Sequence, residues 1–535
     1  MFEKMSPNQR LILAVVLSFV FFIVYTAIFP PEMQESAEQN VTLTERSGAE
    51  AATPVVTDGG VGHAVAASEK VANPDATKLV TVESSEFTLK IDTLGRIASK
   101  VLKDKKYYVD DKPTELVAQE GAQPLFIRFA DEAVNAEALK VPYRADANTV
   151  SLEGADAKRV TLTQTLPQVT VTKTLTFYPD GHYDIEVSLS KPMRYFLYVG
   201  QHAEHKGQMM MAVHGVMAYT ADGVSNIFED GDVEGRTSLR DVKLLSAFDQ
   251  YFASIFYGFD AELLVNVDRD RSDNPIAYLE ASDSLSFNGF IGPKDYRLLE
   301  SVNPVLVNAI EYGWFTWAAK PLFGFLLFLH GIFGNWGWAI VVLVIAIRLV
   351  LYPLTYKGMV SMQKMKDLAP KMKELREKYK GDPQRMNAAV MELYKKNGAN
   401  PMGGCLPLLL QIPVFFAIYR VLLNAVELQG AAWMLWIDDL SRMDPTFILP
   451  VLMGASMYFQ QKMTPNNFTD PMQEKIFKYL PVVFTFFFVT FPSGLVLYWL
   501  TNNLLSIAQQ YMVNKKYAQI KAAHQAQKEH SGDEA

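Results

Sequence analysis

Hydrophobic residues in this 535-residue chain follow two patterns, long uncharged runs near both ends and short alternating segments between them. The first run, residues 11 to 29, holds nineteen uncharged residues, enough to cross a hydrocarbon layer of about 30 Å. Lys4 and Arg10 precede it, and basic flanks stay on the cytoplasmic side of a membrane. We predict that residues 1 to 29 form an uncleaved anchor with a cytoplasmic N-terminus, in preference to a cleaved signal peptide.

The middle of the chain changes from a tether to a β-rich pattern. Residues 30 to 78 are rich in Glu, Ala, Ser, Thr, Val and Pro with almost no aromatic residues, which predicts a flexible tether. Apolar and polar residues then alternate, most clearly at 169 to 190, where two β-rich runs flank the turn signal Pro179-Asp180-Gly181. We therefore predict a large antiparallel β-sandwich over residues 79 to 310.

The C-terminal half contains the remaining apolar runs. Residues 321 to 356 carry one charged side chain, Arg348, and are too long for a single span. Because GIFGN breaks this run, we predict an interfacial amphipathic elbow at 311–335. The pattern and the turn signal FPSG then predict five spans, at residues 336–356, 401–426, 445–461, 476–491 and 493–513. The predicted fold class is an α-helical polytopic membrane protein with six spans and a β-sandwich domain.

Charge supports this topology. Residues 31 to 320 hold 27 Lys and Arg against 43 Asp and Glu, whereas the rest of the chain is basic. The loop at 357–400 carries eleven basic and five acidic residues, and the loop at 427–444 carries one and four. Because basic loops stay in the cytoplasm, the loop at 357–400 and the tail at 515–535 are predicted to be cytoplasmic, and the sandwich lies on the other side.

Arg348 is the candidate functional residue because a charge inside a span is costly and usually faces a bundle interior or a water-filled cavity. Snorkelling to the cytoplasmic interface is the alternative. Gln411, Thr501, Asn502 and Asn503 are polar side chains that could line the same cavity or simply join helices. No acidic residue lies within a span core, so we expect an unpaired cation that awaits a visiting anion.

The β-rich segment offers little chemistry of its own. His202 and His205 stand three residues apart, on opposite faces of a strand, so surface histidines are favoured over a metal site. Cys405 is the sole cysteine, which excludes an intramolecular disulfide. Neither a metal-ligand spacing nor a phosphate-binding loop is present, so we expect no cofactor and no enzymatic activity.

Four segments resemble the YidC membrane protein insertases of the YidC/Oxa/Alb family, namely GNWGWAIVVLVIAIRLVLYPLT, NPMGGCLPLLLQIPVFFAIY, TDPMQEKIFKYLPVVFTFFF and FPSGLVLYWLTNNLLSIAQQ. The resemblance implies a five-helix insertase core at 336–514, enclosing a hydrophilic groove, and places the sandwich in the periplasm of a Gram-negative bacterium. Arg348 corresponds to the groove arginine, which attracts the tail of a nascent membrane protein. Gln411, Tyr498 and Trp499 match groove or substrate-facing positions.

The chain departs from the family pattern at two positions. Val344 stands where some members have a hydroxyl residue, one helical turn before Arg348. Arg420 stands where an uncharged or aromatic side chain is expected. Because Arg420 lies seven residues before Glu427, snorkelling to the outer interface is favoured over a second groove cation.

The sequence of the loop at 357–400 predicts two helices with a break near Gly381-Asp382-Pro383. Methionine surfaces adapt to varied apolar partners, and the resemblance favours a mobile cytoplasmic lid, with candidate residues Met359, Met362, Met365 and Met372. The implied partners are nascent membrane proteins, the Sec translocon, the lipid bilayer and the ribosome, the last through basic loops and tail and without a specific nucleic-acid sequence.

Two other classes of function stay open on the residues alone. A secondary transporter would need a central substrate site and usually internal repeats, and no repeat relates the predicted spans. An anchored periplasmic assembly factor would have no need of Arg348.

Overall fold

The computed structural model describes residues 78–109, 112–154, 156–203, 212–260, 262–398, 402–464 and 471–532. The predicted anchor at 1–29, the tether up to residue 77 and His205 lie outside the described residues.

Strand alternation is clearest in β8 of the β-rich domain, where half-buried and fully buried side chains alternate along the whole strand. The described strands are β1 Lys78–Ser84, β2 Phe87–Asp92, β3 Ile97–Leu102, β4 Ile127–Phe129, β5 Arg144–Ala145, β6 Thr149–Leu152, β7 Lys158–Thr165, β8 Thr170–Phe177, β9 His182–Leu189, β10 Tyr195–Gly200, β11 Gly215–Thr220, β12 Ser225–Glu229, β13 Thr237–Leu239, β14 Val242–Phe248, β15 Phe252–Tyr257, β16 Leu264–Arg269, β17 Pro275–Ala281 and β18 Leu285–Pro293.

These strands form three hydrogen-bonded sheets. Their orders are β12-β11-β14-β15-β18-β9-β8-β7-β5, β13-β16-β17-β10-β4 and β3-β2-β1-β6. The prediction of an antiparallel domain was wrong at one pair, because β1 and β6 run parallel with Thr81 opposite Thr149. Alternation tells which face of a strand is buried, but it specifies neither the neighbouring strand nor its direction.

The predicted hairpin at 169–190 is confirmed. β8 and β9 pair antiparallel, with Val171 opposite Leu189 and Phe177 opposite Tyr183. Gly181 has a φ of +93°, a conformation that favours glycine, and its amide donates to the Tyr178 carbonyl at 3.1 Å. The turn therefore depends on the glycine that the sequence signal contained.

Two fully buried lysines join segments of different sheets. Lys100 of β3 donates to the carbonyl of Gly181 at 3.1 Å and also to that of Ile291 in β18. Lys173 of β8 donates to the carbonyls of Gly95 and Leu125, each at 2.8 Å. Burial lowers the pKa of both lysines to about 7. Each ammonium group thus satisfies backbone acceptors that would otherwise be buried without partners.

Helices dominate the C-terminal half. The helices are α1 Glu132–Ala138 and α2 Tyr296–Val302 beside the sheets, followed by α3 Thr316–Phe333, α4 Trp336–Asp367, α5 Ala369–Lys378, α6 Pro383–Lys396, α7 Met402–Asn424, α8 Ile448–Met463, α9 Pro471–Phe488 and α10 Ser493–Gly532. The described helices α3 and α4 are long and apolar enough to cross a membrane, and Gln411–Asn424 and Phe477–Phe488 are shorter apolar helical segments. The number of six spans stays a prediction.

Local signals explain where several helices begin and end. α3 ends at Gly334, which has a φ of +63°, and the Asn335 side chain accepts from the Trp338 amide at 3.1 Å to cap α4. α6 begins after Asp382, whose carboxylate accepts from the Arg385 amide. The predicted breaks at GIFGN and at Gly381-Asp382-Pro383 are therefore confirmed.

Two helices run further than the predicted spans. α4 continues eleven residues beyond position 356, and α10 continues from the predicted span through most of the predicted tail. The charged residues that begin at Lys357 mark the expected edge of the lipid. Lysine, arginine and glutamate favour helix, so the helix does not have to end at that edge. α4 ends at Asp367, because Pro370, in the first turn of α5, has no amide hydrogen to continue the helical hydrogen bonds.

The β-rich domain contacts the helices directly. Gln250, between β14 and β15, donates from Nε2 to the carbonyl of Leu423 in α7 at 2.9 Å. Arg442, between α7 and α8, donates from Nη2 to the carbonyl of Tyr108 at 3.1 Å. These bonds hold the end of α7 and the loop that follows it against the β-rich domain.

Candidate functional site

A cavity of about 530 Å³ lies between α4 and the four helices α7 to α10. Apolar side chains such as Phe415 and Leu480 form part of its wall, and amide side chains such as Gln460 and Gln510 form another part. Arg348 is the one charged side chain among the described residues that line it. The cavity therefore combines a positive charge, neutral hydrogen-bonding groups and an apolar surface.

Arg348 lies on α4 and is half-buried. Its Nε donates to Asn502 Oδ1 at 2.9 Å, and its Nη2 donates to the Asn502 carbonyl at 3.3 Å and to Ser506 Oγ at 2.5 Å. The sequence predicts a cation without an acidic partner, and the acceptors that hold the guanidinium are neutral groups on α10. Val344, one turn earlier, is buried and apolar, and the hydroxyl that contacts Arg348 comes from Ser506 instead.

Asn502 joins three helices. Its side-chain oxygen accepts from Arg348 on α4 and from Gln411 Nε2 on α7, the latter at 3.1 Å. Its backbone carbonyl accepts from Ser506 Oγ, one turn later on α10, at 2.7 Å. Arg348, Gln411 and Asn502 were all predicted as groove residues, and the structure brings them into one hydrogen-bonded cluster.

The two predicted aromatic residues of α10 line the cavity on its apolar side. Tyr498 is buried, and its ring centroid lies 6.3 Å from that of Phe415. Trp499 packs edge-on against Phe415 at 4.7 Å and against Phe488 of α9 at 4.8 Å. Such edge-to-face contacts fix large rings in position. These rings fix the spacing of α7, α9 and α10 around the cavity.

Two other polar residues of α10, Thr501 and Asn503, lie outside the hydrogen-bonded cluster of Arg348, Gln411 and Asn502. Thr501 is half-buried and lies outside the cavity lining. Asn503 reaches the lining, but its Nδ2 donates to Ser456 Oγ of α8 at 3.0 Å. Asn503 therefore fits the alternative that the sequence left open, a hydrogen bond between helices.

The candidate lid methionines separate into two pairs. Met359 and Met362, on the extended part of α4, line the cavity. Met365 is half-buried outside the lining, and Met372 is buried, with its sulfur accepting from the hydroxyl of Tyr394 at 2.7 Å. Met372 thus packs α5 against α6.

Several lining residues were missed by the sequence analysis. Ser506 and Gln510 lie four and eight residues after Asn502, on the same face of α10, and this spacing was an available signal. Gln460 and Gln461 of α8 gave no such signal, because glutamine is common at the polar end of any span.

Arg420 points away from this cavity. Its Nη1 lies 3.6 Å from Glu311 Oε2, in the segment that joins the β-rich domain to α3. The Glu311 carbonyl also accepts from Asn424 Nδ2 at 2.8 Å. Arg420 is therefore a partner of the connecting segment and not a lining residue of the cavity.

The histidines of the β-rich domain make local contacts. His202 Nε2 lies 2.6 Å from Asp230 Oδ2, and His182 Nδ1 lies 2.5 Å from Asp180 Oδ1. Across the described ranges, no group of three His, Cys, Asp or Glu side chains is arranged to hold a metal ion.

Apolar helices around a cavity that holds an arginine and several amide side chains, joined to a large β-rich domain, define a helical membrane protein with one extramembrane domain. Comparison with known families agrees with this class. The family described as YidC periplasmic domain matches residues 79–325, and the family described as 60Kd inner membrane protein matches residues 328–521.

Named relatives extend over nearly the whole chain. Proteins named membrane protein insertase YidC are 47% identical in Campylobacter jejuni, over 96% of this chain and 97% of the relative, and 48% identical in Wolinella succinogenes, over 96% of each. The protein of that name from Helicobacter pylori strain 26695 is 42% identical, over 99% of this chain and all of the relative. The chain belongs to the YidC family of membrane protein insertases. Insertases are not enzymes, as the sequence analysis expected.

Proposed function

We propose that this protein inserts nascent membrane proteins into the bacterial inner membrane by receiving a polar flank of the client in the cavity around Arg348. The family assignment supports insertion, and one observation carries the role of the cavity. Arg348 is held by neutral acceptors of Asn502 and Ser506, so its positive charge is not cancelled. A client carboxylate therefore meets an oriented and uncompensated guanidinium.

The energies suit a transient contact. A carboxylate about 4 Å from a guanidinium gains on the order of 4 kcal/mol at an effective dielectric near 20. This gain offsets part of the cost of removing an acidic tail from water. Partition of the apolar segment into lipid, at about 25 cal/mol per Å² of buried apolar surface, then favours release without nucleotide hydrolysis.

The exit route in this proposal passes α7 and α9. Ile412 of α7 and Phe477 of α9 line the cavity and are also exposed at the surface. Val482 and Phe486 continue the exposed apolar face of α9. An apolar client segment could therefore leave the cavity along side chains that resemble the lipid interior.

The wider arrangement also belongs to the proposal. Six spans, with both termini in the cytoplasm and the β-rich domain in the periplasm, agree with the basic loop at 357–400. That loop and the helical tail of α10 would approach the ribosome electrostatically, without reading a nucleic-acid sequence. The Sec translocon is a further proposed partner, and the lid would be formed by Met359 and Met362 at the cavity.

The test is insertion of a single-span client with an acidic tail into liposomes that contain the purified full-length protein, scored by protease protection. Arg348→Ala should reduce insertion at least about tenfold, and Arg348→Lys should retain most of it, because a cation stays in the cavity. Arg269→Ala is the matched control, since this arginine lies in the β-rich domain, outside the cavity, with its side chain 48% exposed.

Two outcomes would contradict the proposal. If Arg348→Ala inserted the client as well as the unsubstituted protein, the charge in the cavity would have no part in insertion. If the unsubstituted protein inserted nothing, an anchored assembly factor would become the better account.

A further inference from the structure

The side-chain oxygen of Asn502 lies where an anion would bind Arg348. It accepts from Arg348 Nε at 2.9 Å and from Gln411 Nε2 at 3.1 Å, and the two donors come from different helices. Two converging donors, one of them cationic, are the usual surroundings of a carboxylate oxygen. Here an amide oxygen of the same size and position occupies that place.

We propose that Asn502 is a specificity-determining residue, whose side-chain oxygen is exchanged for a client carboxylate on Arg348. This inference rests on the proposed function and adds to it the acceptor that the client displaces. Asn502 is neutral, so the charge of Arg348 is not neutralised in the absence of a client. The guanidinium nevertheless has an acceptor for its hydrogen bonds.

The exchange favours acidic tails for a physical reason. Hydrogen bonds to an ionised acceptor are roughly twice as strong as those between neutral groups, so a carboxylate replaces the amide oxygen with a net gain. A neutral tail offers only another neutral acceptor and gains nothing by the exchange. The remaining contact between Arg348 and Ser506 keeps the guanidinium in place meanwhile.

The first variant, Asn502→Asp, places a permanent carboxylate on Arg348. In the liposome assay, insertion of an acidic-tailed client should fall at least about tenfold, while a client with a neutral tail of equal length should change less than about twofold. Asn308→Asp is the matched control, because Asn308 Oδ1 lies outside the cavity and already accepts from Lys320 at 3.0 Å.

The second variant, Asn502→Ala, removes the competing acceptor. The ratio of acidic-tailed to neutral-tailed insertion should rise at least about threefold, because the client no longer displaces a bound oxygen. If Asn502→Asp failed to fold, it would lose insertion of the neutral-tailed client as well as of the acidic-tailed client. In that case the ratio measured with Asn502→Ala tests the proposal. A residue that only packs the helices would lower both clients equally.

The outcomes separate this inference from the proposed function. If Arg348→Ala abolishes insertion of the acidic tail but neither Asn502 variant changes the ratio, the exchange is overturned and the proposed function stands. If the unsubstituted protein inserts neither client, the proposed function itself fails.

Discussion

Two helices of the cavity wall approach closely at a glycine, where we expect alanine to destabilise the protein although it is the better helix former. Gly454 of α8 faces Thr485 of α9, and a Cβ built on Gly454 would lie 1.7 Å from Thr485 Oγ1 and 3.0 Å from its Cβ. Alanine in place of glycine ordinarily stabilises a helix by about 1 kcal/mol. At this position we expect Gly454→Ala to destabilise the protein instead.

The magnitude follows from the contact. Thr485 cannot simply turn away, because its β-branched side chain is stiff and its hydroxyl donates to the Pro481 carbonyl at 2.8 Å. Overpacking of this kind costs about 1–3 kcal/mol. After the gain in helix propensity, Gly454→Ala should have a net cost of up to about 2 kcal/mol.

A double-mutant cycle measures the contact itself. Thr485→Ala removes the Oγ1 that would lie 1.7 Å away and keeps only the Cβ at 3.0 Å, so Gly454→Ala should cost less in that background than in the unsubstituted protein, with a coupling of about 1–3 kcal/mol. The assay is reversible unfolding of the purified full-length protein in mixed micelles, followed by tryptophan fluorescence. Gly324→Ala in α3 is the control, because a Cβ there meets no atom within 4 Å and should be stabilising on its own. Additive effects of Gly454→Ala and Thr485→Ala would refute the close packing of α8 on α9.

Two further predictions concern pH and are tested by denaturant unfolding of the same preparation. Burial lowers the pKa of Lys100 and Lys173 to about 7, so from pH 7 to about 10 the unfolded chain holds protons that the folded chain has released, and stability should rise with pH. Lys100→Met should reduce that slope between pH 7 and 9, and an unchanged slope would contradict the assignment. Burial raises the pKa of Glu427 from 4.5 to about 7, so its carboxyl favours folding most at low pH and loses that contribution as pH rises through 7. Glu427→Gln, which keeps an acceptor for the Tyr296 amide, should have little effect at pH 4.5 and stabilise by up to about 3 kcal/mol at pH 8, whereas equal effects at both values would contradict a buried carboxyl.

The ends of helices in the C-terminal half could be predicted from the sequence where helix-breaking residues interrupt an apolar run. FPSG separates α9 from α10, and Gly334 with Asn335 separates α3 from α4, because these residues favour turns and caps. The extension of α4 to Asp367 was not predicted, since a change from apolar to charged residues marks a change of surroundings and leaves helix propensity high. The pairing of β1 with β6 could not be predicted from the sequence, because it joins residues far apart in the chain that share no local signal.

The candidate site divides in the same way. Arg348 was found because a lone charge in an apolar run is costly and therefore conspicuous. Its partners on α10, Asn502 and Ser506, lie 154 and 158 residues later. A serine in an apolar helix is too common to be predicted as a functional residue. Pattern thus located the charged group and named Asn502 as a candidate, while Ser506 and the hydrogen bonds that join these residues required the packed structure.

The identity of those acceptors decides what the cavity can do. An aspartate at position 502 would have satisfied Arg348 more strongly than asparagine, but the pair would have carried no net charge and would have attracted no anion. Apolar neighbours alone would have left the guanidinium without acceptors, at a large cost in desolvation. Asn502 and Ser506 lie between these extremes, since they supply hydrogen bonds and leave the charge intact. A cation that is satisfied but not neutralised can be both a stable part of the helical bundle and a site for a visiting carboxylate.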